Sequence, residues 1–171
     1  YLLAQQIQHI RADAPITLIG YSFGARVIAG ASHLLAGGAL DGRVLPGAPV
    51  ADRKPLRAVL LAAALDAHWL APGYRFDRAT SLMESILVTV NSSDTVLKVY
   101  PLMYRIGGPQ ALGRFGPICL ADEQEKFTLL DLLTILFHDK QEDITADRYP
   151  ADAWRSLEAH YAALIRRLKP E

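Results

Sequence analysis

Only one cysteine, Cys119, occurs in the 171 residues. No disulfide can therefore form within the chain, and no cysteine cluster is there to hold a metal. Charge of one sign is not in excess either. The 18 Lys and Arg balance the 18 Asp and Glu, which leaves no net field to draw nucleic acid or an anionic membrane. Long apolar runs are missing. Asp66 ends the run 58–65 and Asp131 interrupts 127–137, both far short of the roughly 20 residues that a membrane-spanning helix needs. There is no initiating Met, because Tyr1 opens the chain inside a helical pattern of Leu2, Leu3, Ile7 and Ile10. The sequence therefore reports nothing about a targeting segment, and localisation stays open.

Hydrophobic residues make up 51% of the chain and charged residues 21%, proportions that exclude disorder. One domain spanning 1–171, with a sizeable core, is the expectation at this length. Its centre is the stretch 16–28, Ile-Thr-Leu-Ile-Gly-Tyr-Ser-Phe-Gly-Ala-Arg-Val-Ile. The β-branched run after Pro15 predicts a buried parallel strand, and a helical pattern begins at once beyond Gly24.

Between strand and helix stands Gly20-Tyr21-Ser22-Phe23-Gly24, the G-x-S-x-G spacing of a nucleophile elbow. A serine on so sharp a turn is held in strained backbone. The residues two before and two after it, Gly20 and Gly24, are expected to supply the necessary room. The turn projects the Ser22 hydroxyl beyond the strand. It also leaves free N–H groups of the helix start, that of Phe23 first, beneath a developing oxyanion.

The rest of the chain alternates. Helical spacing at 2–10 precedes the elbow strand, and an almost uncharged helix follows it through Val27, Ile28, Ala31, Leu34 and Leu35. Residues 37–55 are rich in Gly and Pro and read as loop. Strands are expected at 56–65 and 85–90. A helix is expected over 95–106, kinked or ended by Pro101, with loops around 107–109 and 113–117 at the edge of the sheet remote from the elbow. The stretch 127–137 reads as a fourth strand over at least 127–133, although Asp122 and Glu125 also form a helix-capping pattern. A final helix spans 150–168. This order predicts an α/β fold, an open and mostly parallel sheet with helices on both faces.

The run Gly-Tyr-Ser-Phe-Gly-Ala-Arg-Val-Ile and the order of elements after it resemble the α/β-hydrolase superfamily, in particular its lipase- and esterase-like serine hydrolases. The resemblance implies a triad in the chain order Ser, acid, His. Active groups in such a sheet collect beyond the carboxyl ends of the strands, where Asp94, in Asn-Ser-Ser-Asp-Thr-Val-Leu, is the leading acid. It also suits the N-cap of a helix from Thr95, and the two roles are compatible. Asp66 is the reserve acid. The base is left among His138, directly after Phe137 and in the matching position, His160 within the last helical pattern, and His68, which would break the order. His33 reads as a core histidine.

In this reading Ser22 attacks an ester or related acyl carbonyl, the histidine carries the proton, and Asp94 steadies the imidazolium. Tyr21, Trp69 and Leu70, with Tyr74 and Phe76, form the expected apolar substrate surface. The chemistry needs no cofactor and no metal. The implied partner is a small-molecule ester or acyl substrate. A catalytically inactive binding or scaffolding module on the same fold is the alternative. Only one helix precedes the elbow strand here, whereas the family places strands on that side, so the chain resembles the C-terminal part of a hydrolase. Strand 16–19 should then expose an apolar sheet edge through which copies could associate.

Overall fold

Pro15 and the branched residues after it lead into strand β1 (Thr17–Tyr21). After only Ser22 and Phe23 the chain enters helix α2 (Gly24–Leu35). The computed structural model describes residues 1–50, 53–104, 108–118 and 126–131. The chain divides into two units, Tyr1–Leu130 and Asp131–Glu171, and every described residue except Asp131 belongs to the first.

Helix α1 (Leu2–His9) precedes β1. Its Ala4 and Ile7 bury against Ala31, Leu34 and Leu35 of α2 and against Leu56. The carbonyls at the end of α1 lack partners within the helix. Buried Arg53 serves two of that region, donating through Nη2 to Ile7 O at 2.8 Å and Ile10 O at 2.6 Å.

Strands β4 (Leu56–Leu61) and β5 (Met83–Val90) fall where two apolar runs were expected. The sheet order is β1-β4-β5-β6, with β6 at Phe127–Asp131. β1 pairs with β4, and β4 with β5, in parallel. The result is an α/β fold around a mostly parallel four-stranded sheet. Among the described residues, α1 and α2 both pack on one face of it. That face carries Leu18, Ala58, Leu60, Ile86 and Val88, which meet Ala25 and Ile28 of α2 in the main core. No helix among the described residues is long and apolar enough to cross a membrane.

Among the described residues the ladder leaves β1 as an edge strand. Ser22 N–H donates to Leu61 O and Arg57 N–H to Ile16 O, so the even-numbered residues of β1 bond towards β4. The N–H and C=O groups of Thr17, Ile19 and Tyr21 consequently point away from the sheet. The side chains of Ile19 and Tyr21 are 69% and 72% exposed.

Several local expectations are corrected. Residues 37–55 are not all loop: β2 (Ala39–Leu40) and β3 (Arg43–Val44) form a small antiparallel hairpin. Asp41 and Gly42 turn it with φ of +50° and +76°, the backbone that a two-residue hairpin turn requires. β4 stops at Leu61 rather than 65 because Ala62 turns the chain at φ +43°, its N–H taken by Thr89 Oγ1 at 2.9 Å. Over its described part, 95–104, the helix expected at 95–106 is a short α3 (Thr95–Lys98) followed by a 3₁₀ turn at Tyr100–Met103. The break falls at Val99, and Pro101 stands within the first turn of the 3₁₀ segment.

The stretch 113–117 does not lie at the remote edge of the sheet. Helix α4 (Leu112–Phe115) sits against the carboxyl ends of β4 and β5. Gly113 N–H donates to Ala63 O at 3.0 Å, and Asn91 N–H to Gly113 O at 2.9 Å. Gly113 is required there, since a β-carbon would stand 2.3 Å from Ala63 N.

Candidate active site

Ser22 occupies the turn between β1 and α2 with φ +51°. A left-handed backbone costs a residue with a side chain about 1–2 kcal/mol, so its surroundings must hold it. Ser22 N–H donates to Leu61 O at 2.8 Å, and Ser22 O accepts from Ala25 N–H at 3.2 Å and Ala64 N–H at 3.1 Å. The side chain is half-buried, and its hydroxyl bonds to none of the described residues. Phe23 and Gly24 N–H, at the start of α2, likewise find no backbone acceptor among the described residues.

The two glycines of the motif differ in what they do. A β-carbon on Gly20 would lie 2.7 Å from Ile28 Cδ1 and 2.8 Å from the Gly24 carbonyl carbon, so only glycine fits. At Gly24 an added β-carbon meets nothing within 4 Å. The room expected from both residues is needed at Gly20 alone. What Gly24 contributes is the backbone that Gly20 must clear.

Asp94 follows β5 and caps α3. Its Oδ1 accepts from Val96 N–H at 2.9 Å and Leu97 N–H at 2.8 Å. Oδ2 has no partner among the described residues. Asp66, 7% exposed, is engaged differently: its Oδ1 accepts from His68 N–H at 2.9 Å and lies 3.3 Å from His68 Nδ1. The His68 ring stacks on Tyr74, with centroids 5.5 Å apart. His33 is buried, with Nδ1 3.3 Å from Arg78 N and Nε2 3.3 Å from Ala39 O. His138 and His160 lie outside the described residues.

The residues expected on the substrate surface separate. Tyr21 is exposed on β1, on the face of the sheet opposite α2. Trp69 is half-buried and meets Phe76 edge-on at 5.4 Å. Leu70, only 2% exposed, belongs to the main core and offers no surface to a ligand. A concavity of about 330 Å³, lined by Tyr1, Leu34, Leu40, Asp41 and Arg43, lies at the far end of α2 from Ser22.

Two residues not foreseen from the sequence join this region. Arg26, one turn after Ser22, donates from Nε to Ala64 O at 2.7 Å and from Nη2 to the Tyr100 hydroxyl at 2.9 Å. Its guanidinium carbon stands 4.6 Å from the ring centre of Phe23 and 5.2 Å from that of Trp69. The ring centres of Tyr100 and Tyr104 lie at 5.5 and 5.7 Å. Burial pushes the Tyr100 hydroxyl well above the ordinary tyrosine range, and Tyr104 beside it adds to the shift. Tyr100 therefore stays a neutral phenol that can accept from Arg26. The available signal was that Arg26 is the one Lys or Arg in α2.

No family model matches the chain, and neither do the curated proteins or solved structures with which it was compared.

Proposed function

We propose that this chain carries the catalytic elements of a serine hydrolase of the α/β-hydrolase type, cleaving a carboxylic ester or related acyl substrate through Ser22, His138 and Asp94. The observation that carries the reading is the backbone of Ser22, a non-glycine residue at φ +51° between a parallel strand and a helix. Strained backbone of this kind persists where the surrounding structure over-determines it, and it concentrates at functional sites.

Asp94 supports the reading from the other side. Neighbouring strands lie about 4.8 Å apart, so β1 and β5, with β4 between them, are separated by about 10 Å. An imidazole bonded at both ends suits that interval. Asp94 Oδ2 is the oxygen available to orient it, since Oδ1 is committed to the cap. His138 follows the end of β6 by seven residues.

In the reaction, His138 takes the Ser22 proton as Ser22 Oγ bonds to the acyl carbon. The Phe23 N–H steadies the oxyanion, and the proton passes to the departing alcohol. Water then repeats the sequence on the acyl-serine and restores the hydroxyl. Asp94 holds the imidazolium in place.

A non-catalytic binding module is the second reading. In it Ser22 stands on the same strand-to-helix turn without a base to activate it. A fluorophosphonate probe separates the two. Its phosphorus bonds to an activated serine oxygen while fluoride leaves and the serine proton passes to the base. Capture at Ser22, lost in Ser22→Ala, is expected of the hydrolase. A wild-type chain that stays unlabelled would be the binding module.

A further inference from the structure

We infer that Arg26 is a positioning residue for the nucleophile and the acid together, clamping the Ser22 turn to the segment that Asp94 begins. The inference rests on the hydrolase reading above.

The peptide units of Ala64 are the link. Ala64 gives its N–H to Ser22 O at 3.1 Å, and its own carbonyl receives Arg26 Nε at 2.7 Å. Arg26 stands one turn along the helix that Ser22 introduces, so it closes a ring. The ring runs from Ser22 to Ala64, from Ala64 to Arg26, and along the first turn of α2 back to Ser22. The strained Ser22 carbonyl can leave its place only if Ala64 moves, and the guanidinium resists that movement.

The second arm of the guanidinium reaches the acid's side of the site. Nη2 bonds the Tyr100 hydroxyl at 2.9 Å. Tyr100 packs in one cluster with Ala64, Leu97 and Ala111, and Leu97 N–H is one of the two groups that Asp94 Oδ1 accepts. Arg26 therefore touches, through one planar group, the residue that holds Ser22 and the residue that anchors the helix capped by Asp94.

Its chemistry fits that task better than a ligand-binding one. No carboxylate pairs with Arg26 among the described residues, and four aromatic rings surround the cation instead. Rings stabilise a guanidinium without drawing it out of plane. A rigid fork keeps two hydrogen bonds at a fixed angle, which a lysine ammonium cannot reproduce.

The test uses the whole chain with Arg26→Lys and Tyr100→Phe, the latter removing only the hydroxyl. Two quantities are read: hydrogen exchange of the Ala64 amide, and the rate of phosphonylation at Ser22 by a fluorophosphonate. In Arg26→Lys the Ala64 amide is expected to exchange about tenfold faster while distant core amides keep their protection. Phosphonylation should slow by about 10- to 100-fold, the scale of a reacting group displaced by about 1 Å. The loss should fall on the bond-forming step and not on probe binding. Tyr100→Phe should shift both in the same direction by about 3- to 10-fold, the worth of one hydrogen bond.

Unchanged Ala64 exchange in Arg26→Lys would overturn the clamp. Faster exchange with an unaltered bond-forming rate would overturn its role in positioning the nucleophile. A responsive Ala64 amide in a wild-type chain that never labels would instead overturn the hydrolase reading, leaving Arg26 a purely structural tie. Should Arg26→Lys fail to fold, Tyr100→Phe carries the same two readouts.

Discussion

Gly20 faces the backbone of Gly24 so closely that a β-carbon at position 20 would stand 2.8 Å from the Gly24 carbonyl carbon. The reverse does not hold, because a β-carbon at position 24 points into open space. Gly20→Ala should therefore force the start of α2 away from β1 and destabilise the fold by about 1–3 kcal/mol, as overpacking does. Gly24→Ala should be neutral or stabilising by up to about 1 kcal/mol, since alanine surpasses glycine in a helix. Urea unfolding of the two variants checks the order, and equal losses would contradict it.

The strain at Ser22 gives a second expectation, in which activity and stability part company. Ser22→Ala should abolish probe capture and any ester hydrolysis while the fold survives, because alanine meets no new neighbour. Ser22→Gly should abolish both too, yet raise stability by about 1 kcal/mol by relieving the left-handed backbone. Thermal or urea midpoints of the three proteins decide this. A Ser22→Gly chain less stable than the wild type would mean that the turn is not strained.

Asp94 has two duties, and substitutions can separate them. Asparagine keeps an oxygen for Val96 and Leu97 N–H, so Asp94→Asn should leave stability nearly intact. Asp94→Ala removes the cap and should lose about 1 kcal/mol. Both should slow hydrolysis by roughly 1000-fold or more if Asp94 orients the base. Asp66→Asn should slow it far less, because that carboxylate is spent on His68. The reverse order of the two asparagine variants would move the acid to the loop after β4.

Much of this arrangement is legible in the sequence, for identifiable reasons. Ile16, Thr17 and Ile19 are branched and follow a proline, so β1 follows from local preference. The apolar period of Ile28, Ala31, Leu34 and Leu35 marks the buried face of α2 in the same way. The hairpin at Asp41-Gly42 was also readable, because an Asp-Gly pair favours two successive positive φ angles. The Gly- and Pro-rich composition around it pointed to loop instead.

Other features depend on contacts made far along the chain. Nothing near Ala62 announces a turn, which is fixed by Thr89 Oγ1 from the neighbouring strand. The docking of α4 is set by Gly113 against Ala63, and Leu70 is buried because the loop after β4 folds back over the core. Arg26 could be noticed as a charge alone in an apolar helix, but its partners Ala64 and Tyr100 are 38 and 74 residues away. Local patterning carries no trace of pairs so distant.

The last expectation concerns β1, the edge of the sheet among the described residues. Thr17, Ile19 and Tyr21 direct their backbone N–H and C=O groups away from β4, and no charged residue occurs between Ile16 and Gly24 to discourage a second strand. Uncharged, apolar edges of this kind invite pairing. Antiparallel pairing of two copies about Ile19 would set Thr17 of one beside Tyr21 of the other, with every residue uncharged. These 171 residues should therefore self-associate with rising concentration. Ile19→Lys should suppress the association while leaving stability almost unchanged, because the side chain is already 69% exposed. Sedimentation of the wild-type and Ile19→Lys chains over a range of concentrations checks it. A wild-type chain that stays monomeric throughout would show that the β1 edge is protected, and identical association of both chains would place the contact elsewhere.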